Sequence, residues 1–168
     1  RDCLLSRGLG DVYKRQAKKH YEFCTDLKID GIEEWSPETP MLYQVELQML
    51  REDEEIDDLI ERFGFREICV QGKFILLNGK RLRIKGVCRH EDHPDYGCAL
   101  PYQTIYNDLV LIRQMGANSI RTAHYPNDEI FLDLCDELGI LVWEENHARG
   151  LEEDRMKHPL FEEQAEQV

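Results

Sequence analysis

The sequence predicts a chain of mixed α and β structure, in which a β-rich first part precedes alternating strands and helices. Residues 82–88 and 140–143 are apolar strands that run directly into ionisable residues, and residues 118–126 begin as an apolar strand and stop at Arg, His and Tyr. Helical patterns separate these strands, which indicates parallel strands with right-handed crossovers. Because folds of this kind build their sites at strand ends, the three ends predict one catalytic face.

Size and charge exclude several classes of partner. The chain has 168 residues, enough for one domain or parts of two, and a hydrophobic fraction of 42% that supports a packed core. Its formal net charge of −13 argues against nucleic acid, whose phosphates require clustered Lys and Arg. No apolar run approaches the roughly 20 residues that span a bilayer. We therefore expect neither nucleic acid nor a membrane as partner.

The six cysteines show no C-x-x-C spacing, and several lie inside predicted strands or helices. Buried small hydrophobic side chains in a reducing compartment explain them better than a disulfide framework or a zinc site. We therefore expect a cytoplasmic, bacterial-type location. The six residues are Cys3, Cys24, Cys69, Cys88, Cys98 and Cys135.

Residues 1–16 differ from the rest of the sequence because they show no useful periodicity and contain no acidic residue except Asp2 and Asp11. We expect this segment to be non-native flanking sequence outside the fold. The alternative is a frayed strand of a preceding domain.

Residues 17–71 are β-rich, and the clearest strand covers residues 42–50, where apolar and polar residues alternate. The acidic run at 52–55 that follows predicts a solvated hairpin tip, in preference to a cation or partner site. Residues 62–68 then lead to the next strand. The face of the first strand predicted to be buried consists of Tyr43, Val45, Leu47 and Met49.

From residue 72 the pattern changes to strand and helix. Asn78-Gly79 lies between two short apolar runs and is the strongest short signal for a β-hairpin. The first helix is predicted at about residues 102–115, with Gly116 as its C-terminal stop. Its apolar stripe consists of Ile105, Leu109, Ile112 and Met115.

The second helix is predicted at about residues 128–138, capped at its start by Asn127 or Asp128 and ended by Gly139. Its apolar stripe consists of Ile130, Leu134 and Leu138. A last helical stretch begins near Pro159.

Several of these motifs together resemble a known family. The run Asn-Ser-Ile-Arg-Thr-Ala-His-Tyr-Pro at residues 118–126, with Phe131-Leu132, Asp136 and the run at 139–143, matches a signature of the family 2 glycoside hydrolases. That family contains β-galactosidases, β-glucuronidases and β-mannosidases. The blocks at residues 78–80 and 89–94 are also similar to this family, particularly to its β-galactosidase branch. The resemblance covers about residues 31–168.

The resemblance implies a multidomain α and β architecture. Residues 17–71 would form the C-terminal part of an immunoglobulin-like β-sandwich, because residues 35–40 and 63–66 resemble its end. Residues 72–168 would form the first three βα units of a TIM (β/α)8 barrel, truncated there because a whole barrel takes about 250 residues.

The activity implied by the resemblance is that of a retaining β-glycosidase of the β-galactosidase type. Such enzymes use two carboxylic groups about 5–5.5 Å apart. In the family these are a Glu preceded by Asn at the end of the fourth strand and a Glu near the seventh, which the resemblance places beyond this chain. Glu144 and Glu145 take neither role, because Asn146 follows Glu145 instead of preceding it. We assign no catalytic residue and expect an active parent protein but an inactive fragment.

Four strand-end residues are predicted to bind substrate: His90, His124, Arg121 and Glu145. The two histidines close the first and second strands, where family β-galactosidases contact sugar hydroxyls, and a neutral imidazole can both donate and accept a hydrogen bond. The alternative for either histidine alone is a satisfied core or rim position. Arg121 either faces the sugar or is buried and paired with a carboxylate such as Glu145. Glu145 itself is predicted to orient His124 or the catalytic acid.

No metal ligand is assigned. The run His90-Glu91-Asp92-His93 contains ligand-type residues, but zinc motifs of the H-E-x-x-H type need two histidines four residues apart on a helix. Galactosidases of the family often hold Mg²⁺ through a Glu and a His just after the third strand, where this chain has Arg149 and Leu151.

Three alternatives stay open. The nearest is a β-glucuronidase of the same family, the second is a non-catalytic carbohydrate-binding remnant, and the third is a chain without a stable fold. The expected partner is a β-linked oligosaccharide or glycoside, and the full-length parent is expected to be homo-oligomeric.

Overall fold

The computed structural model describes residues 28–146 and 152–166. The prediction about residues 1–16 lies outside these ranges, as does the start of the predicted sandwich segment. The chain divides into two compact units, Arg1–Ile32 with Gln44–Glu61 and Glu33–Tyr43 with Arg62–Val168.

The described part of the first unit is mostly a two-stranded hairpin of β1 (Tyr43–Arg51) and β2 (Glu54–Phe63). Glu52 and Asp53 form its turn with positive φ angles of 52° and 68°, and both are exposed, which confirms the solvated acidic tip. On the predicted apolar face Tyr43 and Val45 are partly buried. Leu47 and Met49 are exposed instead of buried, because the described sheet has two strands and no second layer over them.

The second unit begins with a three-stranded antiparallel sheet of β3 (Ile68–Gln71), β4 (Phe74–Leu77) and β5 (Lys80–Arg81). Asn78 and Gly79 join β4 to β5 with φ angles of 52° and 71°, as an Asn-Gly hairpin turn requires. The predicted hairpin is therefore confirmed.

A three-stranded parallel sheet follows, ordered β6 (Gly86–Arg89), β7 (Ser119–Thr122) and β8 (Leu141–Trp143). The predicted parallel arrangement is confirmed. The strand predicted at residues 82–88 was wrong in its first half, since β6 starts only at Gly86. The reason is that this backbone bonds outside the parallel sheet or to a side chain. The Leu82 amide donates to the Ile75 carbonyl of β4 at 2.9 Å, while Asn118 Oδ1 accepts from the Lys85 amide at 2.8 Å and its Nδ2 donates to the Arg83 carbonyl at 3.0 Å.

Two helices cover this sheet, α1 (Tyr102–Gln114) and α2 (Glu129–Leu138), close to their predicted bounds. Asp128 caps α2 by accepting from the Ile130 amide at 2.9 Å, and Gly139 ends it with a φ of 70°. Two shorter helices, α3 (Glu153–Met156) and α4 (Phe161–Glu166), lie either side of the predicted start near Pro159.

The predicted apolar stripes need two corrections. Met115 is 69% exposed because it lies beyond the last turn of α1. Ile130 is 45% exposed, since the buried face of α2 passes through Phe131 and Leu134 and a step of one residue turns a side chain about 100° away. The buried core between the helices and the sheet consists of Ile105, Leu109, Ile112, Ala117, Ile120, Phe131, Leu134, Cys135 and Ile140.

The cysteines also differ from expectation. Cys135 is buried, and burial raises the pKa of its thiol to about 12. Cys69, Cys88 and Cys98 are exposed, because their strands and loop lie on faces that the described chain leaves open. Among the helices in the described ranges, none combines the length with the apolar composition that a bilayer span requires.

The segment before the hairpin packs inside the second unit. Trp35 is buried, and its indole Nε1 donates to the Asp136 carbonyl at the end of α2 at 2.9 Å. Two residues later, the Pro37 carbonyl accepts from Arg113 at 2.9 Å. These bonds join residues 33–43 to the helices that cover the parallel sheet.

Candidate functional site

The carboxyl ends of β6, β7 and β8 lie at the same edge of the parallel sheet, and each is followed by a predicted site residue. His90 comes directly after β6, His124 shortly after β7, and Glu145 shortly after β8. The registers that pair Cys88 with Arg121 and Arg121 with Trp143 align these ends. A sheet of this kind therefore presents the three residues on one face.

Arg121 and Glu145 form a bidentate ion pair. Nε of Arg121 donates to Oε1 of Glu145 at 2.7 Å, and its Nη2 donates to Oε2 at 3.1 Å. The Arg121 side chain is 42% exposed, so the pair is present but is not the buried one that the sequence suggested. The Arg121 bond lowers the pKa of Glu145; partial desolvation opposes this effect and the His124 bond adds to it. The same bond raises the pKa of Arg121.

His124 contacts the other three predicted residues. Its Nδ1 lies 3.2 Å from Oε2 of Glu145 and 3.2 Å from Nη2 of Arg121. Its ring packs edge to face on the His90 ring, with 5.3 Å between centroids and an interplanar angle of 72°. Nδ1 can donate to the carboxylate or accept from the guanidinium, and either choice of tautomer fixes the orientation of the ring.

Residues that were not predicted from the sequence also support this arrangement. The hydroxyl of Thr122, which is fully buried, accepts from the Glu145 amide at 3.1 Å. The Arg121 guanidinium also lies 3.8 Å from the Cys88 sulfur. The alternation of β7 could have indicated Thr122, because a polar residue at a buried strand position must find a partner.

Arg89 is a second supporting residue that was not predicted from the sequence. Its side chain is buried at the end of β6, donates to Asp108 of α1 at 3.2 and 3.0 Å, and lies 3.4 Å from Glu91 Oε1. Its guanidinium carbon lies 5.1 Å from the ring centroid of Phe131. A buried arginine with two carboxylates and an aromatic face is a rigid anchor for the loop that carries His90.

Tyr125 is a third supporting residue that was not predicted as such from the sequence. Its hydroxyl accepts from the Glu91 amide at 2.9 Å and lies 3.4 Å from the Glu91 carbonyl. The signature run contains Tyr125, but a bond to the backbone leaves no pattern of paired side chains in the sequence.

The two adjacent glutamates after β8 diverge. Oε1 of Glu144 accepts from the Asn127 amide at 3.2 Å, toward the start of α2, while Glu145 belongs to the cluster with Arg121. Only one of the two carboxylates therefore lies in the candidate site.

The potential metal ligands do not converge in the described part of the chain. His93 stacks on Tyr96 with 4.9 Å between ring centroids, and its backbone pairs with Gly97. No group of three or more His, Cys, Asp or Glu residues within 28–146 and 152–166 is arranged to hold a metal ion. Arg149 and Leu151 lie outside the described residues.

The structure thus brings all four predicted site residues, His90, His124, Arg121 and Glu145, into one connected cluster at the sheet edge. Chemically, the two imidazoles of the cluster can donate and accept hydrogen bonds. The Arg121–Glu145 ion pair holds the orientation of the His124 ring. Their role as substrate ligands stays a prediction.

Known proteins resemble this chain over most of its length. The glycosyl hydrolases family 2 model matches residues 7–66, and the glycosyl hydrolases family 2 TIM barrel domain model matches residues 68–166. A β-galactosidase of Pseudoalteromonas haloplanktis is 40% identical over 120 residues, which are 71% of this chain and 12% of that protein.

Two solved structures are similar in fold as well as in sequence. A β-galacturonidase from Eisenbergiella tayi bound to galacturonate is 60% identical, with a TM-score of 0.77 over 84% of this chain and 25% of that one. A β-glucuronidase from Parabacteroides merdae is 43% identical, with a TM-score of 0.67 over 71% of this chain and 15% of that one.

The chain spans between 11% and 16% of the length of the curated relatives it matches. The two family models leave few residues between 7 and 166 unmatched, and they represent both the sandwich and the barrel of the family. The resemblance seen in the strand-end motifs is therefore confirmed, and this chain belongs to glycosyl hydrolase family 2.

Proposed function

We propose that the full-length protein containing this chain hydrolyses terminal β-linked sugars, and that this chain supplies one wall of the pocket for the terminal sugar. The observation that carries the proposal is the placement of His90 and His124, with ring centroids 5.3 Å apart, at the ends of adjacent parallel strands in a member of this family. This wall would come from the first three βα units of the barrel.

Two neighbouring imidazoles suit the vicinal hydroxyls of a sugar ring. Each neutral ring can donate to one hydroxyl and accept from another. Contacts of this kind strengthen as the sugar flattens toward an oxocarbenium ion, so they favour the transition state over the bound substrate. The pair of Arg121 and Glu145 serves this wall by fixing the His124 ring.

The two carboxylic groups of the retaining route are not assigned in this chain. Glu145 is committed to Arg121 and His124, and Glu144 is bonded near the start of α2. We therefore propose that later strands of the full-length protein supply the acid and the nucleophile, and that residues 1–168 alone are inactive.

Two classes of terminal sugar fit this wall. A β-galactoside is favoured by the position of the two histidines at the first two strand ends, where family β-galactosidases contact sugar hydroxyls, and by relatives named β-galactosidase. A β-hexuronide is favoured by the higher identity, 60%, to a β-galacturonidase. Galactose and galacturonate share the configuration of their ring hydroxyls and differ at C6, so histidines that read ring hydroxyls accept both. Discrimination at C6 would then come from other residues.

The test compares aryl β-galactoside, β-galacturonide and β-glucuronide as substrates of the full-length protein, with His90→Ala and His124→Ala beside it. Loss of a sugar contact should lower kcat/KM on the preferred substrate by about tenfold or more. His158→Ala, an exposed histidine between α3 and α4, is the matched control and should leave kcat/KM unchanged. Absence of hydrolysis on every glycoside, or full activity of both histidine variants, would contradict the proposal.

A further inference from the structure

The peptide that follows His90 is held from the neighbouring strand end. Glu91 presents both of its backbone polar groups to the Tyr125 hydroxyl, which accepts from the amide at 2.9 Å and donates to the carbonyl at 3.4 Å. Glu91 and Tyr125 are both only partly exposed. One hydroxyl therefore bridges the loop after β6 and the loop after β7.

The residue that precedes His90 is held as well. Arg89 is buried at 7% exposure and fixed by Asp108 of α1, by the Glu91 carboxylate and by the face of Phe131. His90 itself is exposed and lies between these two fixed neighbours. Its backbone is thus restrained on both sides, while its ring is open to a ligand.

The same hydroxyl links the two histidines. Tyr125 directly follows His124, and Glu91 directly follows His90, so the Tyr125–Glu91 bonds tie together the two backbones that carry the rings. His124 is already fixed by Glu145 and Arg121 at 3.2 Å. Since one ring is fixed, a tie between the backbones determines where the other ring lies.

We infer that Tyr125 is a positioning residue that sets the separation of His90 from His124 and so determines how tightly the pair binds a terminal sugar. This inference rests on the proposed function. Tyr125 does not touch the sugar in this scheme. Without its hydroxyl, a water molecule can serve the partly exposed Glu91 amide, so stability changes little, but His90 gains freedom that substrate binding must then remove.

The test is a double-mutant cycle in the full-length protein, with Tyr125→Phe, His90→Ala and the double variant. Tyr125→Phe should lower kcat/KM on the preferred glycoside roughly three- to tenfold, mainly through a higher KM, with little change in Tm. Because Tyr125 acts through His90, Tyr125→Phe should not lower kcat/KM any further in the His90→Ala background. A purely structural role would lower activity equally in both backgrounds.

Tyr106→Phe is the matched control, since it removes the hydroxyl of an exposed tyrosine on α1 and should leave KM and kcat unchanged. If His90→Ala lowers activity but Tyr125→Phe does not, or if the two effects add, the positioning role is overturned and the proposed function stands. If the wild-type protein hydrolyses no glycoside, both proposals fail.

Discussion

At the scale of single residues, the Arg121–Glu145 pair carries a pH dependence whose sign follows from its geometry. The arginine lowers the pKa of Glu145 in the folded state. A carboxyl with a lowered folded pKa stabilises the fold above its unfolded pKa of about 4.3, and that stabilisation is lost as the pH falls through the folded value. Both side chains are partly exposed, so solvent screens the pair and the effect is modest.

The prediction concerns Arg121→Met in the full-length protein. The variant should melt below the wild type at about pH 6, and the difference in Tm should shrink as the pH falls through the lowered pKa of Glu145, because protonation removes the charge that Arg121 stabilises. Arg121→Lys keeps the charge but loses the bidentate geometry, so its Tm should lie between the two. A difference in Tm that stays constant or grows on acidification would contradict this account.

The sequence predicted the four clustered residues because they lie near or just after the ends of apolar strands, and parallel strands bring their carboxyl ends together. It did not predict Arg89, Tyr125 or Thr122 as supports. Their partners are a carboxylate on the next helix, α1, and two backbone amides. Bonds to backbone make no demand on the type of the partner residue, so the sequence does not reveal which residue is the partner.

At the scale of elements, two glycines that both have a positive φ differ in what surrounds them. Gly139 ends α2 with a φ of +70°, and a Cβ there would lie 2.5 Å from the Pro37 carbonyl oxygen. Gly116 follows α1 with a φ of +83°, and a Cβ there would meet nothing within 4 Å. An alanine substitution at Gly116 therefore introduces backbone strain alone, whereas the same substitution at Gly139 adds a steric conflict.

Gly116→Ala should destabilise the full-length protein by about 1 kcal/mol, the cost of placing a Cβ in the left-handed region. Gly139→Ala should cost clearly more, because the Pro37 backbone is held by Arg113 and cannot move away easily. Denaturant unfolding of both variants measures the difference. Equal losses would show that the approach of residues 33–43 to α2 is looser than the 2.5 Å distance implies.

The helices were predictable because their capping residues and stops are local. Asp128 and Gly139 mark the two ends of α2 in the sequence and in the structure. The start of β6 was not predictable, because the backbone before it bonds to the Asn118 side chain, which is distant in sequence. The exposure of Ile130 has a different cause, since an apolar residue at the first turn of a helix need not share the buried face.

At the scale of the whole molecule, the described parallel sheet has two edge strands, β6 and β8, and large apolar side chains are exposed around it. Among them, Trp143 is 70% exposed on β8. Strand edges and apolar faces of this kind favour association with other chains. In relatives the matched region is a small part of a much longer chain. The remaining residues of such a chain can cover these strand edges and apolar side chains.

We expect residues 1–168, produced alone, to aggregate, to melt without a cooperative transition and to hydrolyse no aryl glycoside. The full-length protein, measured in parallel, should give a sharp transition and activity. Light scattering and calorimetry on both proteins decide the point. A sharp, reversible two-state transition of the isolated chain would show that its edges are satisfied without further strands.

The bridge from Tyr125 to Glu91 has a consequence for how this protein can diversify. The bridge ends on the amide and carbonyl of position 91, which every amino acid except proline provides in full. A substitution at position 91 would therefore remove the carboxylate that contacts Arg89 but would leave the Tyr125 bridge between the two histidine backbones in place, so this position can vary to suit a new glycoside. Position 125 has no such freedom, because its side chain supplies the hydroxyl of the bridge. Tyr125 should therefore be among the last residues after β7 to change in descendants that keep the same terminal sugar.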